Sequence, residues 1–303
     1  MKTKHWIVFI LLGVIWSSSF MWIKIAVQEV SPITLVAFRA LFGLLFGVVV
    51  IFIQRVSWPR TFKAWLPLLI VGLTNVAIPF FLISWGEQSI DSAVASILDA
   101  TVPLFTILTA HFLLQDDKMT IPKVLGLLIG FAGIIILMSK DIGGSPSSLL
   151  GQLAVVVASM FYAGSAVYVR KTTEDVPGIV RSAGPLVSAT ATMWLMTFLF
   201  ERPVTIPHLG ITWVALLCLG VLGSGLAFVL AYYLIHEIGP TRTTMVTYLF
   251  PLGGVILGIA ILHEQLIWQV IAGAALIIAS LTVSNWEPRK QEIIEGPQVV
   301  SKY

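Results

Sequence analysis

Two charged side chains, Arg39 and Asp99, stand well inside long apolar stretches of this sequence. Each lies about seven residues from the end of its stretch, roughly 10 Å along a helix. An unpaired charge at the centre of a bilayer costs about 2.5–3.5 kcal/mol on insertion scales, so we expect both to face the protein interior. Asp99 could then bind an ammonium group and Arg39 a carboxylate, as in a site for a zwitterion. The competing interpretations are a structural ion pair and an arginine that extends toward the membrane surface.

A second set of candidates consists of aromatic and neutral polar residues within the apolar stretches, which suit a small, partly apolar ligand. A single aromatic residue in such a stretch more often belongs to the packed core or the membrane interface, and that alternative stays open for each of them. The six candidate binding residues are Trp16, Ser17, Asn75, Tyr162, Thr247 and Tyr248.

Histidines and acidic residues do not form the motifs of a metal or catalytic site. His263-Glu264-Gln265 and His236-Glu237-Ile238 lack the second histidine, four residues on, that a zinc-binding helix requires. The five histidines are scattered near the ends of separate apolar stretches, and neither a Gly-x-Ser-x-Gly elbow nor a P-loop occurs. The sequence therefore predicts no metal, no cofactor and no enzymatic activity, and any driving force would be an ion or substrate gradient.

The elements that position these residues are predicted to be membrane-spanning helices. The chain has 303 residues, of which 57% are hydrophobic and 11% charged, against about a quarter charged in a typical soluble domain. Its apolar residues fall in blocks of the roughly 20 residues that a span needs, joined by short connectors. We therefore predict an all-α integral membrane protein with ten transmembrane helices, at residues 6–26, 32–53, 65–86, 92–114, 121–138, 149–169, 180–200, 210–235, 240–262 and 267–285.

The net charge of +3 reflects basic residues in the connectors, which indicate membrane orientation and not a nucleic-acid partner. With the N-terminus inside, fourteen Lys and Arg residues fall on the cytoplasmic side and three on the other. This asymmetry predicts that both termini are cytoplasmic in a multi-pass protein of the inner or plasma membrane. Residues 287–303 are polar, and we expect a disordered cytoplasmic tail. The lone Cys218 excludes an intramolecular disulfide.

Asp99 belongs to a stripe of small and polar residues, spaced for one face of a helix, that occurs twice in the chain. The repeated stripe divides the chain into two halves of five spans each, at residues 6–139 and 149–285. Because five is odd, the second half enters the membrane from the opposite side, an inverted repeat typical of alternating-access carriers. Duplication without transport is the alternative. The first stripe is Ser92, Ser96, Asp99, Pro103, Thr106 and Ala110, and the second, 148 residues later, is Pro240, Thr244, Thr247, Pro251, Gly254 and Gly258.

Prolines and glycines in these blocks predict mechanical rather than chemical roles. Pro103 and Pro251 hold the same position in the two stripes, and each removes a backbone hydrogen bond and bends its helix. We expect matched hinges, with a static packing kink as the alternative. Small residues let membrane helices approach closely, so we predict helix packing, without a binding role, for four glycines. They are Gly126, Gly130, Gly133 and Gly273.

Short motifs follow one another in a characteristic order along the predicted spans. The first span has Trp16-Ser17-Ser18-Ser19-Phe20 followed by Lys24, the second has Arg39, and the fourth has Ala95-Ser96-Ile97-Leu98-Asp99-Ala100-Thr101-Val102-Pro103-Leu104. The fifth has the three glycines from 126 to 133, and the ninth has Tyr248-Leu249-Phe250-Pro251 followed by Glu264. Through these motifs the chain, from 6 to 285, resembles the drug/metabolite transporter superfamily, specifically a pair of EamA domains.

The resemblance implies a ten-helix carrier with spans 1–4 and 6–9 around a central cavity and spans 5 and 10 outside them. It also implies export of small metabolites such as amino acids. The family pattern closes the fourth and ninth spans with an acidic residue. Glu264 matches in the ninth span, and either Asp116 or Asp117 matches in the fourth.

These observations together predict a secondary carrier in the lipid bilayer, with a central small-molecule site made polar by Asp99 and Arg39. The expected substrate is an amino acid or similar metabolite, and export is implied by the resemblance alone. The alternative is an exporter of drug-like or nucleoside compounds. A membrane-embedded enzyme would need a catalytic cluster at one interface, and a channel would need polar residues on most spans. Substrate, direction, ion coupling and oligomeric state stay open.

Overall fold

The computed structural model describes residues 2–114, 119–139, 146–173, 175–239, 243 and 245–284. Within these ranges the chain is helical, as predicted, and contains no strand. Nine helices there are long and apolar enough to cross a membrane, and one further apolar helix is shorter. In chain order they are α1 (Thr3–Ala26), α2 (Pro32–Gln54), α3 (Phe62–Gly86), α4 (Ser92–Leu113), α5 (Ile121–Met138), α6 (Pro146–Thr172), α7 (Gly178–Phe200), α8 (Gly210–Ile238), α9 (Met245–Leu262) and the shorter α10 (Trp268–Ser284).

Capping groups explain where α2 begins and ends. Ser31 Oγ accepts a hydrogen bond of 3.1 Å from the amide of Thr34, and Pro32 occupies the first turn, where its missing N–H has no cost. The helix ends at Arg55, whose left-handed backbone (φ 54°) stops the regular pattern. Several predicted features lie outside the described residues: Asp116, Asp117, Pro240, Thr244 and the tail 287–303.

Contacts between helix ends define two faces of the molecule. At the near face, where α1 begins, His5 Nε2 lies 3.1 Å from Oε2 of Glu237 at the end of α8. At the far face, where α1 ends, Lys24 Nζ donates to the carbonyl oxygen of Glu87, just after α3. α6 begins at the far face, because a Cβ on Gly151 would lie 2.9 Å from the carbonyl oxygen of Gly86.

α4 is the most buried of the nine long helices. Every residue from Ser92 to Thr101 is buried, and α1, α6 and α9 all pack against this first half of the helix. α2 packs against α7 and the middle of α8. Exposed apolar side chains such as Phe52, Ile121 and Phe200 cover the outer surface, as contact with lipid requires. Asp99 thus lies on the central helix of the fold.

α5 and α10 pack chiefly against each other. A Cβ added to Gly126 would lie 1.8 Å from Ser284 Oγ, and one on Gly273 would lie 2.9 Å from Leu137 Cβ. Neighbouring helices approach all of the glycines for which we predicted packing. They are Gly126, Gly130, Gly133 and Gly273.

π-helical segments interrupt α3 and α8 at corresponding places, Gly72–Ala77 and Cys218–Leu226. The 148-residue offset between the stripes pairs Gly72 with Gly220. Segments of this kind are rare and frequently occur at functional sites. The one in α8 supplies two of the central contacts described below.

Irregular stretches also precede the two predicted hinge prolines. α4 is interrupted at Ala100 and Thr101, and Pro103 lies in the first turn of the segment that follows. α9 begins with a 3₁₀ turn, Met245–Tyr248, and Pro251 is the third residue of its regular part. Both prolines therefore follow a local change of helix type, and whether these sites bend during function stays a prediction.

Candidate functional site

Arg39 lies in the middle of α2 and is 5% exposed. Its Nε donates a 3.0 Å hydrogen bond to Ser224 Oγ in the π segment of α8. The guanidinium lies over the ring of Phe80, with Cζ 3.6 Å from the ring centroid, a cation–π contact. The two terminal guanidinium nitrogens bond to no residue in the described part of the chain. Among the described residues, the edge of the guanidinium that binds a carboxylate in bidentate pairs is therefore without a hydrogen-bond partner.

Asp99 ends the first segment of α4 and is 6% exposed. Its Oδ1 is buried and accepts no hydrogen bond from any residue that the structure describes. The hydroxyl of Ser159, on α6, lies beside the carboxylate, and Tyr162 and Arg39 are close enough to interact with it electrostatically. Asp99 is thus a buried carboxylate with one oxygen left to bind a donor.

The ion pair that the sequence permits between Arg39 and Asp99 is not formed. Both side chains are buried, but no guanidinium nitrogen lies within 4.0 Å of a carboxylate oxygen of Asp99. Arg39 is held by a hydroxyl and an aromatic ring instead. Because each buried charge costs several kcal/mol unless it is paired, a ligand that carries both opposite charges would stabilise the two residues together.

Trp16 and Tyr162 belong to the surroundings of these charges. Trp16 Nε1 donates a 3.2 Å hydrogen bond to the carbonyl oxygen of Gly223, next to the serine that binds Arg39. The indole also makes edge contacts with Phe228 and Phe250, with centroids 6.0 Å apart in each case. Tyr162 is half-buried on α6. These aromatic groups give the centre apolar walls beside its charges.

Ser17 and Tyr248, by contrast, take part in helix contacts. A Cβ on Gly253 of α9 would lie 2.1 Å from Ser17 Oγ, so Ser17 fills the space over that glycine. Tyr248 packs against a leucine cluster shared by α4, α5 and α10. Asn75, in the π segment of α3, and Thr247, in the 3₁₀ turn with which α9 begins, are half-buried.

The two polar stripes contact each other between α4 and α9. A Cβ on Gly254 would lie 2.1 Å from Ser96 Oγ, and one on Gly258 would lie 3.3 Å from Ser92 Oγ. The small residues thus let the two helices approach closely between Asp99 and the far face. The sequence identifies both stripes, but no signal in it indicates that they face each other.

A cavity of about 820 Å³ lies at the far face, within the range of small-ligand sites. The ends of α1 and α9 and the starts of α4 and α8 surround it. Arg39 and Asp99 are not part of its lining. Within the described ranges, no three His, Cys, Asp or Glu side chains come together as a metal site. The polar and charged residues that line the cavity are Lys24, Gln28, Glu29, Asp91, Thr212, His263, Glu264 and Gln265.

Two of these lining residues bind helix ends. Glu264 accepts hydrogen bonds from the amides of Ser92 and Ala93, at 2.7 and 3.0 Å, and so caps the first turn of α4. Lys24 Nζ donates to the carbonyl oxygens of Glu87 and Ile90, each at 2.7 Å. The sequence motifs identify Glu264 and Lys24, but not the helix ends that they hold.

Glu29 and Glu201 make similar contacts between the two halves of the chain. The carboxylate of Glu29 accepts a 3.0 Å hydrogen bond from the amide of Leu209 at the start of α8. Hydrogen bonds from the Thr212 hydroxyl and from backbone amides lower the pKa of Glu29 below its ordinary value. At the second contact the donor belongs to the first half of the chain and the acceptor to the second. Ser31 at the start of α2 donates to Glu201 at the end of α7.

Replacing Glu264 with alanine is expected to lower the melting temperature of the protein, because two amides at the start of α4 lose their acceptor. Loss of such a cap costs about 0.5–2 kcal/mol. Thermal unfolding of the purified protein in detergent measures the effect. Gln265→Ala removes the neighbouring exposed side chain and is the control. Equal melting temperatures for the two variants would contradict the capping role.

The sequence as a whole matches a known family. The EamA-like transporter family matches residues 4–139 and, a second time, residues 149–286. The two matches together cover nearly all of the sequence. The chain belongs to the EamA-like transporter family. It is therefore a multi-pass membrane transporter built from two EamA-like segments.

Proteins that are named as transporters match this chain along most of their length. It is 25% identical over 297 residues to the uncharacterized transporter YoaV of Bacillus subtilis, covering 94% of this chain and 99% of YoaV. It is 27% identical over 259 residues to the uncharacterized inner membrane transporter YedA of Escherichia coli K12, covering 84% and 82% of the two chains. A crystal structure with 20% sequence identity has a TM-score of 0.69 and covers 94% of this chain and 98% of its own, which shows a shared fold.

Proposed function

We propose that this EamA-like transporter is a secondary carrier that exports a small zwitterionic metabolite, an amino acid or similar compound. The observation that carries the proposal is the arrangement of Arg39 and Asp99. They have opposite charges, lie buried on separate helices and do not pair with each other. A substrate with a carboxylate and an ammonium group would supply each of them with its missing partner.

The surroundings of the two charges suit such a substrate. Ser224 and Phe80 fix the orientation of Arg39, so its terminal nitrogens can bind a carboxylate in bidentate geometry. The unpartnered oxygen of Asp99 can accept a hydrogen bond from an ammonium group. Trp16 and Tyr162 offer apolar surface for a side chain. Arg39 and Asp99 would position an amino acid by its two charged groups. Trp16 and Tyr162 would position it by its side chain.

Alternating access is the mechanism that we propose for this carrier. The two matched segments would be inverted repeats, with both termini in the cytoplasm and the far face outside. Pro103 and Pro251 would serve as hinges at the irregular stretches of α4 and α9. Two observations support a site reached in turn from each side: the charges are buried, and a separate cavity is present at the far face. The name of the relative YedA supports placement in the inner membrane.

The experiment that tests this proposal is transport by purified protein in proteoliposomes. We expect at least one member of a labelled amino-acid panel to exchange or accumulate, and unlabelled substrate on the opposite side to accelerate its movement. Protein-free liposomes give the background. No transport of any zwitterionic member above that background would contradict the assignment.

A second candidate substrate class is a flat aromatic compound, such as a nucleoside or a drug-like molecule. The favouring observation is the aromatic cluster beside Arg39, where the rings of Trp16 and Phe20 both contact Phe250, with centroids 6.0 and 6.1 Å apart. Including nucleosides and aromatic cations in the same panel separates the two classes. Transport of those compounds without any amino acid would favour this alternative.

A further inference from the structure

Glu87 is a fully buried acid that no sequence pattern singles out, because it directly follows an apolar stretch. Its exposed fraction is 0%, and neither carboxylate oxygen has a hydrogen-bond partner among the described residues. Ser84 Oγ and Ser92 Oγ, on either side of it in sequence, are likewise buried and unpartnered within that part of the chain. An ionised carboxylate without donors is costly to bury, so this corner favours the neutral, protonated acid.

Charged groups on four elements interact electrostatically with Glu87. The cations are Lys24 on α1 and Arg39 on α2, and the acids are Asp99 on α4 and Glu264 after α9. α6 packs along the end of α3 and contributes no acidic or basic residue between 146 and 169. Burial outweighs the two cations and raises the pKa of Glu87 well above its ordinary value of 4.5.

Lys24 links the far-face cavity to the main chain at Glu87. Lys24 lines the far-face cavity, and its Nζ binds the carbonyl oxygens of Glu87 and Ile90. The connection between α3 and α4, residues 87–91, is held against α1 by these two bonds. Their rupture would let the carboxyl group meet the water of the cavity and place Lys24 where it can pair with a carboxylate.

We propose that Glu87 is a proton-binding site of the carrier, protonated while the connection 87–91 is held against α1 and able to release its proton to the far-face cavity when that contact breaks. The proposal rests on the transport function proposed above. In the release step the carboxyl O–H bond breaks, the proton passes to water, and the carboxylate that remains pairs with Lys24. Transport then depends on the proton concentration at the far face.

The first test needs no substrate. The infrared spectrum of the purified protein at neutral pH should contain the carbonyl stretch of a protonated carboxyl group that Glu87→Gln lacks. Glu201→Gln is the matched control, because Glu201 accepts hydrogen bonds from Ser31 and Thr34 and should leave that band unchanged. An identical band in wild-type protein and Glu87→Gln would overturn the proposal. Glu87→Leu takes the place of the glutamine variant if that variant does not fold.

The pH dependence of stability gives a second readout with a defined sign. Because burial raises the pKa of Glu87 above its ordinary value, the proposal implies that the folded protein keeps this proton at pH values where the unfolded chain has lost it. Unfolding therefore releases a proton, and stability falls as pH rises, by up to about tenfold in the unfolding equilibrium constant per pH unit. Glu87→Gln should lack this contribution. Equal slopes for both proteins, or stabilisation of wild-type protein alone by Na⁺, would overturn the proposal.

Transport completes the test and separates the two proposals. With a transported panel member, wild-type rates should change with the pH of the far side, whereas Glu87→Gln should transport at a rate independent of pH. A pH dependence retained in Glu87→Gln would overturn the coupling. If the wild-type protein transports no panel member, the proposed function fails, and the infrared band and stability slope still decide whether Glu87 binds a proton.

Discussion

Asp99→Asn is expected to abolish transport while the protein stays folded. Asparagine has nearly the same shape, but it cannot supply the negative charge that an ammonium group of the substrate needs. Truncating one partner of a buried, hydrogen-bonded charge pair costs about 2–5 kcal/mol, so apparent affinity should fall by roughly 30-fold to several thousandfold. Proteoliposome transport measures the loss, and size-exclusion chromatography and thermal unfolding verify the fold.

Asp175→Asn is the matched control for this variant. Asp175 is an exposed residue in the connector before α7, so the same chemical change should leave transport unaltered. Wild-type transport by Asp99→Asn would remove Asp99 from the substrate site. A comparable loss in both variants would show that the effect does not come from the buried charge.

Gly72→Ala is expected to destabilise the protein more than an alanine at any of the other glycines described in the Results. The added Cβ would lie 2.1 Å from the carbonyl oxygen of Pro185 and 2.0 Å from Ser188 Oγ. A side chain can move, but the backbone of α7 cannot yield without disturbing its packing on α3. Overpacking of this kind typically costs about 1–3 kcal/mol, which thermal unfolding in detergent would register as a lower melting temperature.

Two control variants sharpen this prediction. Gly164→Ala, on α6, has no atom within 4 Å of its new Cβ, and alanine is the better helix former by about 1 kcal/mol, so its melting temperature should not fall. Adding Ser188→Ala to Gly72→Ala removes only the movable contact and should restore little stability. Full rescue by Ser188→Ala would show that the backbone clash is unimportant.

The helices could be predicted from the sequence because their bounds depend on local composition. The apolar blocks 32–53 and 121–138 correspond to Pro32–Gln54 and Ile121–Met138. The irregular stretches were less predictable. Pro103 indicated a bend in α4, and the interruption falls just before it, at Ala100 and Thr101, because a proline ring disturbs the preceding turn. The π segments carry no local signal that separates them from ordinary helix.

The site could be predicted only in part, because its contacts join helices that are distant in the chain. Arg39 and Asp99 could be selected because they are charged residues within apolar stretches. For the same reason we expected both to face the protein interior. Their partners could not be inferred, since the Arg39–Ser224 bond spans 185 residues. The structural ion pair, one of the competing interpretations, is absent between these two residues, because depth along a helix does not fix the direction in which a side chain points. Glu87 was missed because its burial depends on how α6 packs over it.

The far-face carboxylates have a consequence for how sequence can vary at these contacts. Glu264 binds main-chain amides at Ser92 and Ala93, and Glu29 binds those at His208 and Leu209. Every residue except proline provides that donor. Each contact therefore requires an acidic residue at one position only. The residue that supplies the amide can be of any type except proline. The two halves of the chain can diverge on the amide side without losing the bonds that join them.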